Sequence, residues 1–175
     1  MSNISSKLWN LIELIVRAVF GFIFKIFKIE FSEKQWQSLF QFVKFGLVGV
    51  FNTVFSYAIN IGCIMIFRQT AMDADLRKYV ANAIAFVLSV FASFLLNRKF
   101  VFELEEGQSR SFGKALLKCY ASYFTTGIVL NSLLLFLWVN VCGISELIAP
   151  LINLIASIPI NFILNKLWAF KAEND

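Results

Sequence analysis

The amino-acid sequence predicts an all-α membrane fold: a four-transmembrane-helix bundle built from two repeated helical hairpins, plus an N-terminal amphipathic helix. Three observations predict it. Of the 175 residues, 59% are hydrophobic and only 15% are charged, where soluble domains carry about 25% charged residues. The charges are clustered, and the apolar stretches between them are long enough to cross a bilayer. Finally, the phrase LLNRKFVF (95–102) returns 68 residues later as ILNKLWAF (163–170), each copy closing an apolar run.

The first element is residues 7–29. It is rich in Leu, Ile, Val and Phe, with polar residues at Lys7, Asn10, Glu13, Arg17, Lys25 and Lys28, close to helical spacing. Glu13 and Arg17 are placed to pair at i,i+4. The preferred reading is a helix lying in the membrane interface, anchored by Trp9 with its lysines toward headgroups. A fifth crossing helix is the alternative. No small-residue cleavage site follows, and the stretch carries charges, so a secretory signal is not expected.

Four spans follow: Phe42–Phe67, Tyr79–Asn97, Cys119–Cys142 and Ile148–Asn165. A helix needs about 20 apolar residues to cross the roughly 30 Å hydrocarbon core. Unbroken apolar runs lack the alternation of a membrane barrel, so these segments are helices. Thirteen of the 16 Lys and Arg lie before the first span or just inside it, in the loop between the second and third, or in the tail. That asymmetry places both termini and the middle loop in the cytoplasm. The expected parts are an interfacial helix and linker at 1–39, a four-helix domain at 40–171, and a short cytoplasmic tail at 172–175. No separate soluble catalytic domain is expected.

Several functions are disfavoured. The net charge of +5 flanks apolar segments and forms no patch on a polar fold, so nucleic acid is not an expected partner. Basic residues so placed orient helices and meet anionic phospholipids. The chain has no histidine, the commonest general base and metal ligand. Its three cysteines, Cys63, Cys119 and Cys142, lack metal spacing; packing is the favoured role, with one bridge between Cys63 and Cys142 left open. A phosphate-binding GxxxxGK[ST] loop is missing. No acidic residue lies within the four spans, where a proton-coupled antiporter normally needs one. No nucleophile–base set is evident either, so no enzyme, cofactor or metal is expected.

The shift of 68 aligns more than the phrase. Ser89 falls on Ser157, Ser93 on Asn161, Asn97 on Asn165, Arg98 on Lys166 and Phe102 on Phe170. The first helices match more weakly, Gly49 and Asn52 resembling Gly127 and Asn131 at shifts of 78 and 79. Two helices per half make both halves point the same way, the arrangement of a parallel repeat about the membrane normal. Amides and hydroxyls form stripes along the spans: Asn52, Ser56 and Asn60 with Gly49; Asn82, Ser89, Ser93 and Asn97; Asn131; and Asn153, Ser157, Asn161 and Asn165. Buried amides need partners, so these stripes face protein or water. They serve helix packing or line a polar path able to bind sugar hydroxyls. Pro159 removes a backbone bond inside the last stripe, making a packing kink or a hinge. Arg98, Lys99, Lys166 and Lys44 stand at the inner ends of the spans. They are snorkelling anchors or a site for a lipid phosphate, with Phe100, Trp168, Phe102 and Phe170 wedging the belt beneath.

FVKFGLVGVFNTVFSYAI (42–59), LLNRKFVF and ILNKLWAF together resemble the GtrA-like family of small four-helix membrane proteins, over about residues 40–171. The resemblance implies translocation of a polyprenyl-phosphate-linked sugar across a bacterial inner membrane. The donor would then serve membrane glycosyltransferases that decorate O-antigen, teichoic acid or another surface polysaccharide. Arg98, Lys99 and Lys166 would capture the phosphate, and the Asn and Ser rows would escort the sugar. Four helices make a thin wall, so a homo-oligomer is expected. Two other readings remain: a membrane anchor or assembly factor for a glycosyltransferase, docking through residues 7–29 and the loop ELEEGQSRS (103–111), and a small ion-coupled exporter using Glu13.

Overall fold

The computed structural model describes residues 2–28 and 30–172; Met1, Ile29 and residues 173–175 of the expected tail lie outside the described residues. Five helices account for most of the chain: α1 (Ser2–Ile26), α2 (Glu33–Phe67), α3 (Ala74–Val101), α4 (Phe112–Val141) and α5 (Ala149–Ala169). No strand occurs among the described residues. Helices α2 to α5 are each long and apolar enough to cross a membrane, and α1 is not among them. At 1.5 Å per residue, α2 is about 50 Å long and α5 about 30 Å. The protein is therefore a multi-pass membrane protein. The chain divides into two compact units, residues 1–43 and 44–175.

In the first unit α1 pairs with the opening turns of α2. The turn between them places Lys28 at φ 53°. Ser32 and Gln35 form a reciprocal helix cap: Ser32 N–H donates to Gln35 Oε1 at 2.8 Å and Gln35 N–H donates to Ser32 Oγ at 3.4 Å. Arg17 donates to both Glu13 and Glu33. Glu33 first, then Glu13, hold its guanidinium pKa above the usual value. Its guanidinium also lies 5.3 Å from the Trp36 ring and 5.1 Å from the Phe40 ring. Phe24 stacks on Phe31 at 4.1 Å. The opposite face of α1 exposes Leu11, Leu14, Ile15, Val19, Phe22 and Ile26, an apolar stripe suited to lipid.

In the second unit the helices outrun the expected spans. Asp73 caps α3, accepting from the N–H groups of Asp75 and Leu76 at 2.9 and 3.4 Å, so α3 starts five residues before Tyr79. At the other end each repeated phrase holds the last turns of its helix, which stops at Val101 or Ala169. Each widens it by one residue per turn: Phe102 N–H donates to Asn97 O, and Phe170 N–H to Asn165 O, both at 2.8 Å. These are i→i+5 turns. The widening carries Phe102 and Phe170 inward, to 5% and 3% exposure. This corrects the expectation that they wedge the interfacial belt with Phe100 and Trp168; Trp168 is exposed.

The buried phenylalanines reveal how the halves meet. Phe102 and Phe170 stack on each other at 4.8 Å. Phe94 stacks on Phe170 at 5.5 Å and its equivalent Phe162 on Phe102 at 6.0 Å. A shift of 68 exchanges Phe94 with Phe162 and Phe102 with Phe170, so the two outer contacts are copies of each other about the central one. This exchange is what a two-fold relation between α3 and α5 produces. For α2 and α4 the burial pattern indicates a shift of 74, replacing the expected 78 and 79: buried Phe45 and Val48 answer to buried Cys119 and Ser122, and Asn52 to Thr126.

Candidate functional site

The polar stripes separate into a sealed set and a cavity-lining set. Ser89, Ser93, Asn97, Asn153 and Asn165 are all at most 2% exposed. Asn97 Nδ2 donates to Ser93 Oγ at 3.2 Å, and Ser93 shares a 3.2 Å hydrogen bond with the Tyr123 hydroxyl. Across the pseudo-symmetry, Asn165 Nδ2 donates to Asn161 O at 2.8 Å, and the Cys119 thiol faces Asn165 Oδ1 at 3.8 Å. The Thr126 hydroxyl lies 2.6 Å from Asn161 Oδ1 and 2.8 Å from Ser122 O, its one proton having two acceptors within reach. A hydroxyl bonded back onto its own helix competes for a ladder carbonyl, and α4 widens into i→i+5 turns over Thr125–Leu130. Asn153 donates to the carbonyl and the side-chain oxygen of exposed Asn131 and accepts from Trp138 Nε1 at 3.3 Å. Ser89 and Ser157 each bond the carbonyl three residues back, at 3.2 and 3.1 Å.

Apart from exposed Asn131, the remaining stripe residues line two cavities. One, of about 300 Å³, lies between α2, α4 and α5, with Gly49, Asn52, Tyr123, Ser157 and Asn161 in its wall. The other, of about 380 Å³, is lined by Asn52, Thr53, Ser56, Tyr57, Asn60 and Asn82. Asn60 Nδ2 donates to Asn82 Oδ1 at 2.7 Å, joining α2 to α3. Asn52 and Thr53 belong to both walls. The side-chain oxygen of Asn52 is buried with no hydrogen-bond partner, an unusual state for a buried acceptor.

The pseudo-symmetry accounts for the first cavity. Tyr123 answers to Gly49, and Ser93 to Asn161. On one side the Tyr123 ring fills the space and bonds Ser93. On the other side Gly49 leaves space beside Asn161. A Cβ built at Gly49 would meet nothing within 4 Å.

The expected cations stand against the phenylalanine cluster in two places. Arg98 is half-buried with its guanidinium 5.0 Å from the Phe112 ring. Exposed Lys99 lies 5.2 Å from the adjacent Phe100 ring. Lys166 is half-buried 5.5 Å from the Phe162 ring. Lys44 is half-buried beside Phe45, which itself meets Phe162 at 5.6 Å. The rings run in series from Phe112 through Phe94, Phe170, Phe102 and Phe162 to Phe45. Arg98 therefore sits at one end of the series, and Lys166 and Lys44 toward the other. Pro159 is exposed, and α5 runs through it from Ala149 to Ala169.

Arg110, counted in the sequence only as a loop charge, is a further member. Its Nη2 donates to Phe102 O at 2.8 Å, and its guanidinium lies 5.3 Å from the Phe170 ring. The residue type gave no signal, since nothing in a loop charge shows that it folds back over a helix end. Among the described residues no cluster of His, Cys, Asp and Glu could hold a metal ion, and the three cysteines are free.

These features define a class: a small polytopic membrane protein with amide-lined cavities among its spanning helices and cations at helix ends. The family model of the GtrA/DPMS transmembrane domain matches residues 44–170. The chain belongs to that family, which ties it to membrane proteins concerned with polyprenyl-phosphate sugars. The match covers most of the second compact unit and leaves α1 outside it. No curated protein and no solved structure matches the chain.

Proposed function

We propose that the protein is a translocase, not an enzyme, moving a polyprenyl-phosphate-linked sugar across a bacterial inner membrane for surface polysaccharide glycosylation. The observation that carries this reading is the pair of amide-lined cavities adjoining at Asn52, whose buried oxygen lacks a protein donor. Sugar hydroxyls supply such donors, and Ser157 and Asn161 offer further polar groups. An unpaired ion cannot cross hydrocarbon without a very large desolvation cost. Arg98, Lys99, Lys166 and Lys44 would therefore take the phosphate at the cytoplasmic face while the isoprenoid chain stays in lipid. The excess of cations on that side supports cytoplasmic termini. Anionic phospholipids, a membrane glycosyltransferase and a second copy of the chain are the expected partners. With no coupling group in the spans, consumption of the donor outside would set the direction.

The anchor or assembly-factor reading draws support only from the exposed loop at 103–109. The exporter reading is weakened by Glu13, which is paired with Arg17 in the first unit. The test is reconstitution into liposomes with a fluorescent polyprenyl-phosphate hexose. Wild type is expected to move the label between leaflets, with Arg98→Ala and Lys166→Ala each slowing it about tenfold or more. A wild-type protein that moves nothing would overturn the translocase reading. Full rates in both variants would overturn the cation assignment alone.

A further inference from the structure

We propose that Arg98 and Arg110 together form a phosphate-oxyanion site where α3 ends and α4 begins. The inference deepens the proposed function, and its choice of a lipid cargo rests on that reading. Arg110 is fixed at both ends of its guanidinium: Nη2 donates to the Phe102 carbonyl at 2.8 Å, and the plane lies over Phe170 at 5.3 Å. Its Nε and Nη1 are enclosed and have no acceptor. An arginine carries five N–H donors and no acceptor, so this is a costly arrangement unless an anion completes it.

Arg98 is the natural second arm. It rests on Phe112 at 5.0 Å. Phe112 meets Phe94 edge-on at 5.1 Å, and Phe94 stacks on Phe170 at 5.5 Å. The two guanidinium groups thus rest on two rings that both pack against buried Phe94. Among the described residues neither has a carboxylate partner, although Glu103, Glu105 and Glu106 lie exposed in the same loop. Burial first, then the charge of Arg98, push the Arg110 pKa below its usual value. A phosphate relieves both problems, because its peripheral oxygens accept from guanidinium donors and its charge cancels the repulsion. The Phe102 carbonyl belongs to the repeated phrase, so the widened turn that buries Phe102 also positions Arg110.

The test uses the full chain in detergent micelles, with citronellyl phosphate and inorganic phosphate as probes and citronellol as the uncharged control. Calorimetric titration should show both phosphates binding and citronellol not. Arg110→Gln and Arg98→Gln should each weaken phosphate binding about tenfold or more, and Arg110→Lys should weaken it less. Arg68→Gln, exposed after α2, should change nothing. Tighter binding of citronellyl phosphate than of inorganic phosphate supports a lipid source; equal binding supports free phosphate at the same site. Should Arg110→Gln fail to fold, Arg98→Gln carries the test, since the Arg98 side chain only rests on a ring. Wild-type affinity in the folded Arg110 variant, or in the Arg98 variant, overturns the site. Phosphate binding through both arginines in a protein that moves no lipid-linked sugar overturns the translocase reading and leaves the site standing.

Discussion

Asn97 and Asn165 hold the same place in the two halves, and neither has any exposed surface. Their partners differ. Asn165 has both ends engaged, with Asn161 O and the Cys119 thiol, while Asn97 Oδ1 is unpaired and only its amide donates. Interhelical hydrogen bonds in membranes contribute about 0.6 kcal/mol on average and nearly 2 at most. The Asn161 bond lies within α5 and only the Cys119 contact crosses to another helix, so Asn165→Ala should lower stability by about 1 kcal/mol, more than Asn97→Ala, in reversible detergent-denaturant unfolding. Equal losses would mean that the cavity left behind, not the bonding, sets the cost. Asp73 makes a second prediction. The N–H groups of Asp75, then Leu76, hold its carboxyl below the usual carboxylate range. Since the folded pKa lies under the unfolded one, its contribution is complete above pH of about 4 and is lost as pH falls through the folded pKa. Hydrogen exchange at Asp75–Tyr79 should quicken over that window and in Asp73→Ala at neutral pH, while Asp73→Asn keeps the cap. Exchange that ignores both changes would remove the cap from the account.

Helices α2 to α5 were legible because the bilayer length rule works on apolar runs alone. Their ends were not. The sequence placed the start of α3 at Tyr79, yet Asp73 caps it earlier because an N-cap needs only one side-chain oxygen and no apolar neighbour. The repeated phrases were legible as a duplication and as helix ends, but not as i→i+5 turns, since no residue type encodes a widened turn. That blind spot hid the inward path of Phe102 and Phe170, and with it the folding of Arg110 onto the Phe102 carbonyl. The stripes could be read as polar, but not sorted into sealed and cavity-lining residues, because that division depends on what faces each one from another helix. Lys28 carried no such signal: it follows α1 with positive φ, where glycine is the favoured residue, and a lysine does not announce that turn. Lys28→Gly should stabilise the α1 end by about 1 kcal/mol, seen as slower amide exchange at Phe27 and Lys28. A faster exchange would show that the lysine side chain itself supports the turn.

As a whole, the second unit is a duplication that has been made unequal where function is proposed. Four buried phenylalanines preserve the exchange between α3 and α5, so the interface common to both hairpins is symmetric. The cavity breaks it. Gly49 faces Asn161 where Tyr123 fills the matching space beside Ser93. A purely structural bundle gains from filling both sides, because dry voids forfeit dispersion contacts. An open side retained against that tendency is expected to hold something. Gly49→Phe tests this directly. The space beside Gly49 is about 300 Å³ and its Cβ would touch nothing, so the ring can enter without displacing backbone. Thermal unfolding should stay at wild type or rise slightly as the void is filled. Transfer of the labelled polyprenyl-phosphate hexose should fall to about a tenth or less, because the ring would occupy the volume a sugar needs. Phosphate binding at Arg98 and Arg110 should be untouched, since those groups lie against Phe112 and Phe170. A Gly49→Phe protein that moves the label at the wild-type rate would show that the sugar travels by another route, and the cavity would revert to a packing defect.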